Sequence, residues 1–120
     1  MRYFFDTYAL IEITNKNPAY VKYADELIST GLLNIMELYY AVLRDFGEQK
    51  AKEAYYTFRN CLIAITDDSV FKAMNLRFKL KNKNLSYADC IGHVLAAENS
   101  LKFLTGDKEF QHMDNVEFVK

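Results

Sequence analysis

Leu101-Lys102-Phe103-Leu104-Thr105-Gly106-Asp107 reads as a short apolar strand closed by a turn, and just before it Ser86 caps a helix expected from Tyr87 to Asn99. A helix that feeds a strand is half of a βαβ unit. Outward from there the alternation continues. Arg2-Tyr3-Phe4-Phe5 is a brief β-type start, followed by helix-like Tyr8–Ile13 and Pro18–Glu26 and the short run Leu27-Ile28-Ser29. An apolar-rich helix is expected over Leu32 to Phe46 and a second over Glu48 to Asn60. Leu62-Ile63-Ala64-Ile65-Thr66, apolar and β-branched, reads as the clearest strand of all. Thr66, Asp67, Asp68 and Ser69 supply cap-type residues for a helix running towards Lys81, and Val116–Val119 reads as a last strand. Strands separated by helices need crossovers, and crossovers give parallel pairing. The expected fold is therefore α/β, a three-layer α/β/α sandwich around a central, mainly parallel sheet. In such sheets ligands bind beyond the carboxyl ends of the strands, at a switch in strand order.

The 120 residues are 51% hydrophobic and 26% charged, an ordinary globular balance, and no linker, repeat or low-complexity tract divides them. One domain spanning 1–120 is expected. Fifteen basic residues against sixteen acidic ones give a net charge of −1. That excludes a simple polycationic nucleic-acid binder while leaving room for an enzyme with local basic patches. Cys61 and Cys90 are too few for a disulfide scaffold and sit in apolar company. No apolar run approaches ~20 residues and no signal-peptide pattern opens the chain, so a cytoplasmic protein without membrane contact is expected.

Four acids stand in apolar surroundings. Asp6 closes Tyr3-Phe4-Phe5, Glu37 interrupts Ile35-Met36 and Leu38-Tyr39-Tyr40, Asp89 lies within Tyr87-Ala88 and Cys90-Ile91, and Asp107 follows Leu104-Thr105-Gly106. Each of the three aspartates also has a plain structural reading. Asp6 and Asp107 could cap the helices after them, and Asp89 stands where Ser86 would make it the second member of a capping box. Glu37 resists such a reading, because its helix is apolar on nearly every face. If all four converge at the strand ends, carboxylates about 5 Å apart repel by roughly 3 kcal/mol per pair at an effective dielectric near 20. A divalent cation relieves that. All-oxygen donors suit magnesium, with manganese able to substitute, and no Cys/His spacing suggests zinc.

The ordered set Phe5-Asp6-Thr7, Ser29-Thr30 with Met36-Glu37-Leu38, Ser86-Tyr87-Ala88-Asp89, and Leu104-Thr105-Gly106-Asp107-Lys108-Glu109-Phe110 resembles the PIN domain. More narrowly it resembles the VapC-type ribonuclease toxins of prokaryotic toxin–antitoxin pairs, over essentially the whole of Arg2 to Val119. The resemblance implies magnesium-dependent hydrolysis of RNA, leaving 5′-phosphate and 3′-hydroxyl ends, with Asp6, Glu37, Asp89 and Asp107 as the catalytic, metal-holding acids. Thr7 and Thr105 would orient the neighbouring carboxylates or touch a phosphate. A small antitoxin and a second copy of the chain, as a homodimer, are the implied protein partners. The lack of an appended domain suits a stand-alone toxin.

An acidic pocket repels RNA, so positive charge is needed nearby. Lys72, Arg77, Lys79, Lys81 and Lys83 fall between Ser69 and Asn84 with no acid among them, and would guide the strand. Of these, Lys72, Arg77 and Lys79 are the expected substrate contacts. His93 shares a helix face with Asp89 but reads as a packed histidine, His112 as a surface one, and Glu12 as at most a peripheral acid. Tyr39, Tyr40, Tyr55, Tyr56 and Phe58 are too many rings for two helices to bury, which favours a partner groove. Two other families fit poorly. A haloacid-dehalogenase-type phosphatase would want a second aspartate where Tyr8 stands, and a receiver domain would want paired acids after its first strand, whereas Asp67-Asp68 follows the third expected strand. The remaining alternative is a PIN-like scaffold that binds RNA or protein without cutting.

Overall fold

A computed structural model of the chain describes residues 2–25 and 27–120. Phe4, Phe5, Phe103 and Leu104 are each fully buried, and their alternation builds the centre. Strand β1 (Tyr3–Phe5) pairs with β3 (Lys102–Thr105), β2 (Ile28–Ser29) flanks β1, and β4 (Val116–Phe118) flanks β3. All three pairings are parallel, with Tyr3 opposite Ile28 on one side and Lys102 on the other, and Phe103 opposite Val116. The order β2-β1-β3-β4 places its switch between β1 and β3.

Side chains on the two faces of the sheet feed two separate cores. Phe5 and Leu104 join α1 (Thr7–Thr14), α2 (Pro18–Val21), α3 (Leu32–Phe46) and α4 (Glu48–Phe58) through residues such as Leu10, Tyr20, Leu38 and Ala54. Phe4 and Phe103 face α5 (Asp67–Lys79) and α6 (Tyr87–Glu98) through Ala73, Val94 and Leu95. Helices on both faces of a parallel sheet make the expected α/β/α sandwich. Burying each of these large apolar side chains stabilises by about 1.5–3 kcal/mol.

Helix starts follow local chemistry. Asp6 caps α1 by accepting the Ala9 N–H at 2.8 Å, Asn17 caps α2 ahead of Pro18, and Thr66 caps α5 through the Ser69 N–H at 3.1 Å. The expected helix Pro18–Glu26 is shorter: α2 gives way to a 3-10 turn at Lys22–Asp25, and Glu26 lies outside the described residues. The larger departure is Leu62–Thr66, which is not a strand. It makes one bridge, between Thr30 and Leu62, with the Thr30 N–H donating to Cys61 and the Ile63 N–H to Thr30, both at 2.9 Å. The chain turns into α3 at Gly31, so the edge that would pair with Leu62–Thr66 ends after a single residue. The segment instead passes the sheet edge in extended form, with Leu62 against one core and Ile63 and Ile65 against the other. Among the described residues no helix is long and apolar enough to cross a membrane.

Candidate functional site

The ends of β1 and β3 and the start of α6 each deliver an aspartate held by its own backbone. Sheet pairing carries on past β1, with the Asp6 N–H donating to the Leu104 carbonyl at 3.2 Å, and leaves the Asp6 side chain 2% exposed. Thr105, the buried last residue of β3, hydrogen-bonds the Asp6 carboxyl, and its hydroxyl accepts the Asp107 N–H at 3.0 Å. Asp107 Oδ1 accepts the Glu109 N–H at 3.0 Å and so caps the 3-10 turn Lys108–Phe110. Asp89 and Ser86 form a reciprocal capping box, the Ser86 N–H reaching Asp89 Oδ2 at 2.8 Å and the Asp89 N–H reaching Ser86 Oγ at 3.1 Å. Capping and site placement are thus not rival roles. A cap uses one oxygen of Asp89 and of Asp107, fixes the rotamer, and leaves the other oxygen of each.

Glu37 arrives from the second turn of α3 and is exposed. Thr7 Oγ1 donates to Glu37 Oε1, and Asn34 Nδ2 donates to Thr7 Oγ1 at 3.3 Å. Asn34 is buried, so an amide one turn before Glu37 anchors the threonine that holds the glutamate. Sequence reading passed over Asn34; the available signal was a polar side chain three residues before Glu37 on an apolar helix. Thr30 ties the same region together, its hydroxyl donating to the Phe5 carbonyl at 2.7 Å.

The four acids feel one another. Burial pushes the Asp6 carboxyl up to about 8, Asp89 and Asp107 add to the rise, and the bonds from Thr105 and Ala9 oppose it. Asp89 is also raised, chiefly by burial, with Asp107 and Glu37 adding repulsion against the Ser86 bonds. Burial and the neighbouring carboxylates thus favour the protonated form of Asp6 far above the usual carboxylate range. Among the described residues no three Asp, Glu, His or Cys side chains form a ready coordination group.

An open cleft of about 650 Å³ lies beside the acids, walled by Thr7, Met36, Glu37, Arg44 and Tyr87 among others. Thr7, Glu37 and Ser86 belong both to its wall and to the bonds that hold the acids. The basic residues divide by position. Arg77 Nε donates to the Leu85 carbonyl at 3.3 Å and its guanidinium lies 4.6 Å from the centre of the ring of Tyr87, a residue of the cleft wall. Lys79 is exposed at the end of α5. Lys72 pairs with Asp68 at 3.0 Å and Glu98 at 3.1 Å, near the far end of α6 and about 13 Å along its axis from Asp89. Lys81 sits over the Phe78 ring at 5.0 Å, and Lys83 Nζ donates to the Glu109 carbonyl at 3.1 Å. His93 packs on Phe110 and Phe103 and donates from Nε2 to the Asp114 carbonyl, a structural setting, while His112 is exposed. Glu12 accepts from Asn17 Nδ2 at the turn into α2. Tyr39, Tyr40, Tyr55 and Tyr56 line a groove of about 610 Å³ between α3 and α4, whereas Phe58 is buried in the first core.

Several solved structures share this fold. A toxin–antitoxin complex from Klebsiella pneumoniae is 24% identical, covers 96% of this chain and 95% of its own, and superposes with a TM-score of 0.75. VapBC2 from Rickettsia felis, bound to a DNA fragment from its promoter, is 20% identical with full coverage of both chains and a TM-score of 0.77. Mycobacterium tuberculosis VapC20, a toxin that cleaves the sarcin–ricin loop, is 16% identical, covers 98% of each chain and reaches 0.82. No curated protein sequence matches the chain. The PIN domain family model matches residues 3–116, a span that holds all four acids and both threonines, and the chain belongs to the PIN domain family.

Proposed function

We propose that the chain is a magnesium-dependent endoribonuclease, the toxin of a VapBC-type toxin–antitoxin pair. One observation carries this reading: acids from four separate parts of the chain perturb one another at the carboxyl edge of the sheet, and the most buried of them, Asp6, is pushed up to about 8. The donor set fits a hard divalent ion. It is all oxygen, its charges repel, and magnesium keeps several of its waters, so some of the acids would act through water rather than as direct ligands. Asp6, Glu37, Asp89 and Asp107 would hold that ion, and manganese could replace it. When bound, the ion supplies a more acidic water and neutralises charge on the departing oxygen.

The chain's own residues do the positioning. Asp6 would hold the ion as a carboxylate, its proton leaving to solvent, while Thr105 keeps Asp6 and Asp107 in register and Thr7 with Asn34 fixes Glu37 at the cleft wall. Thr7, Arg77 and Lys79 are the residues of this reading that meet the RNA; Thr105, expected as a substrate contact, is fully buried and serves only to orient Asp6 and Asp107. Lys72, held by two carboxylates, contributes least. The α3–α4 groove is the surface for protein partners, an antitoxin and a second copy of the chain, and the reading places a single domain in the cytoplasm.

Purified protein incubated with RNA and magnesium, beside the same sample in EDTA, tests this. Cleavage is expected with magnesium, none in EDTA, and a fall of about 100-fold or more in Asp6→Asn. RNA bound but intact in every sample, with Asp6→Asn indistinguishable from wild type, would identify a non-cutting scaffold.

A further inference from the structure

Tyr87 is the first residue of α6, two positions before Asp89, and it is 59% exposed. A large ring left open beside a charged site needs a reason. Its position is fixed on two sides. The Ser86–Asp89 capping box sets the backbone from which it projects, and the Arg77 guanidinium stands 4.6 Å from the ring centre, itself anchored by its bond to the Leu85 carbonyl. Arg77 thus occupies one face of the ring, and the ring forms part of the wall of the cleft that also holds Thr7 and Glu37. The cleft also contains Met36 and the exposed Tyr40, and its size of about 650 Å³ is that of a small-molecule site.

We infer that Tyr87, backed by Arg77, is a stacking platform for a nucleobase of the RNA strand entering the cleft, with Arg77 as the positioning residue. The inference rests on the nuclease reading above and adds what grips the substrate. Physical need supports it. The chain has a net charge of −1, its site is acidic, and Lys72 is already paired with two carboxylates, so phosphate contacts from the remaining basic residues gain from a second, uncharged grip. Stacking on an aromatic face requires no net charge and accepts any base. A guanidinium on the rear face adds a cation–π contact that stiffens the ring. The arrangement predicts recognition of an unpaired base, because a base inside a duplex offers no free face.

The test uses short single-stranded RNAs of mixed sequence carrying 2-aminopurine at successive positions, with binding measured in EDTA and again with calcium replacing magnesium. Wild type and Tyr87→Phe are expected to bind alike and to quench the probe. Tyr87→Ala and Tyr87→Leu are expected to lose the quench and about 5- to 150-fold in affinity. The slope of log Kd against log salt should not change, since no phosphate contact is removed. Tyr87→Leu binding as well as Tyr87→Phe would overturn the platform, as would Tyr87→Ala binding like wild type, or no RNA binding by wild type in either buffer. Thermal melts of the variants, whose changed side chain is exposed, verify folding, and Tyr87→Phe is the rescue that a purely structural role would not single out. Cleavage in magnesium separates the two readings. A wild type that binds through Tyr87 yet never cuts sinks the nuclease alone, whereas Tyr87→Ala cutting with an unchanged KM sinks the platform alone.

Discussion

Asp6 closes β1, caps α1, bonds to Thr105 and lies in the field of Asp89 and Asp107, all with one carboxyl group. An unfolded chain would release this proton near 3.8, while the folded one keeps it to about 8. Between those values the folded state binds more protons than the unfolded state, so raising the pH destabilises the fold. The contribution is complete below pH 4, lost as pH rises towards 8, and flat beyond. The slope is at most about 1.4 kcal/mol per pH unit, or about 4 °C in Tm for a domain of this size. In EDTA, melts recorded from pH 4 to pH 9 should show Tm falling across that window. Asp6→Asn, which keeps a capping oxygen without a titrating proton, should flatten the curve and melt above wild type at pH 8. A wild-type Tm that rises from pH 5 to pH 8 would contradict the burial argument. The acids themselves were legible in the sequence because charge in apolar company is conspicuous. Their capping bonds were legible too, as a competing explanation, since spacing alone does not reveal that one carboxylate can both cap and face a site. Asn34 and the ion pairs of Lys72 were not, because both depend on which neighbour a fold brings close: Thr7 in one case, Glu98 in the other.

Among the elements, those with strong local signals emerged where the sequence placed them. The caps at Asp6, Thr66 and Ser86 and the alternating pairs Phe4/Phe5 and Phe103/Leu104 act over a few residues, and nothing distant opposes them. Leu62–Thr66 had an equally strong β signal and failed, because a strand needs a partner edge and β2 ends where Gly31 opens α3. The connection from β3 to β4 shows a different non-local constraint. Parallel neighbours are normally joined by a longer crossover, yet residues 106–115 suffice here because the chain turns at once through Gly106 and Asp107 into a 3-10 turn. A Cβ on Gly106 would fall on the Tyr8 ring and within 2.6 Å of the Tyr20 hydroxyl. Tyr20 is fully buried and its hydroxyl donates to the Val119 carbonyl, so it has little freedom to retreat. Gly106→Ala should therefore cost about 1–3 kcal/mol and lower Tm by about 4–12 °C. It should also shift Asp107, so RNA cleavage should drop further than the loss of folded protein explains. A variant that melts like wild type would show that the Tyr8–Tyr20 pair yields freely.

Over the whole molecule the apolar residues outnumber what two cores can hold, and the surplus has a pattern. Ile35, Leu38 and Val42 of α3 are buried, while Leu32, Met36, Tyr40 and Leu43, at helical spacing on another face of the same helix, are exposed. Tyr40 and Leu43 continue into the groove shared with Tyr55 and Tyr56 of α4, which adds a further exposed ring. A stripe and a groove that join make one contiguous apolar surface, and monomers rarely leave such a surface in water. A stable symmetric interface covers about 800 Å² on each partner, a modest share of a 7238 Å² surface. The two-fold arrangement requires the surface to be self-complementary, and rings interleaved with smaller apolar groups suit that. The chain alone is thus expected to sediment at twice 14.0 kDa and to dissociate on dilution. Leu43→Lys combined with Tyr56→Lys sets like charges across the contact without touching the acids, and should sediment at 14.0 kDa at every concentration with its helical content unchanged. Wild type that remains at 14.0 kDa when concentrated would mean that this surface is kept for a different protein, and the same double variant would then be read by its failure to be inhibited by that partner.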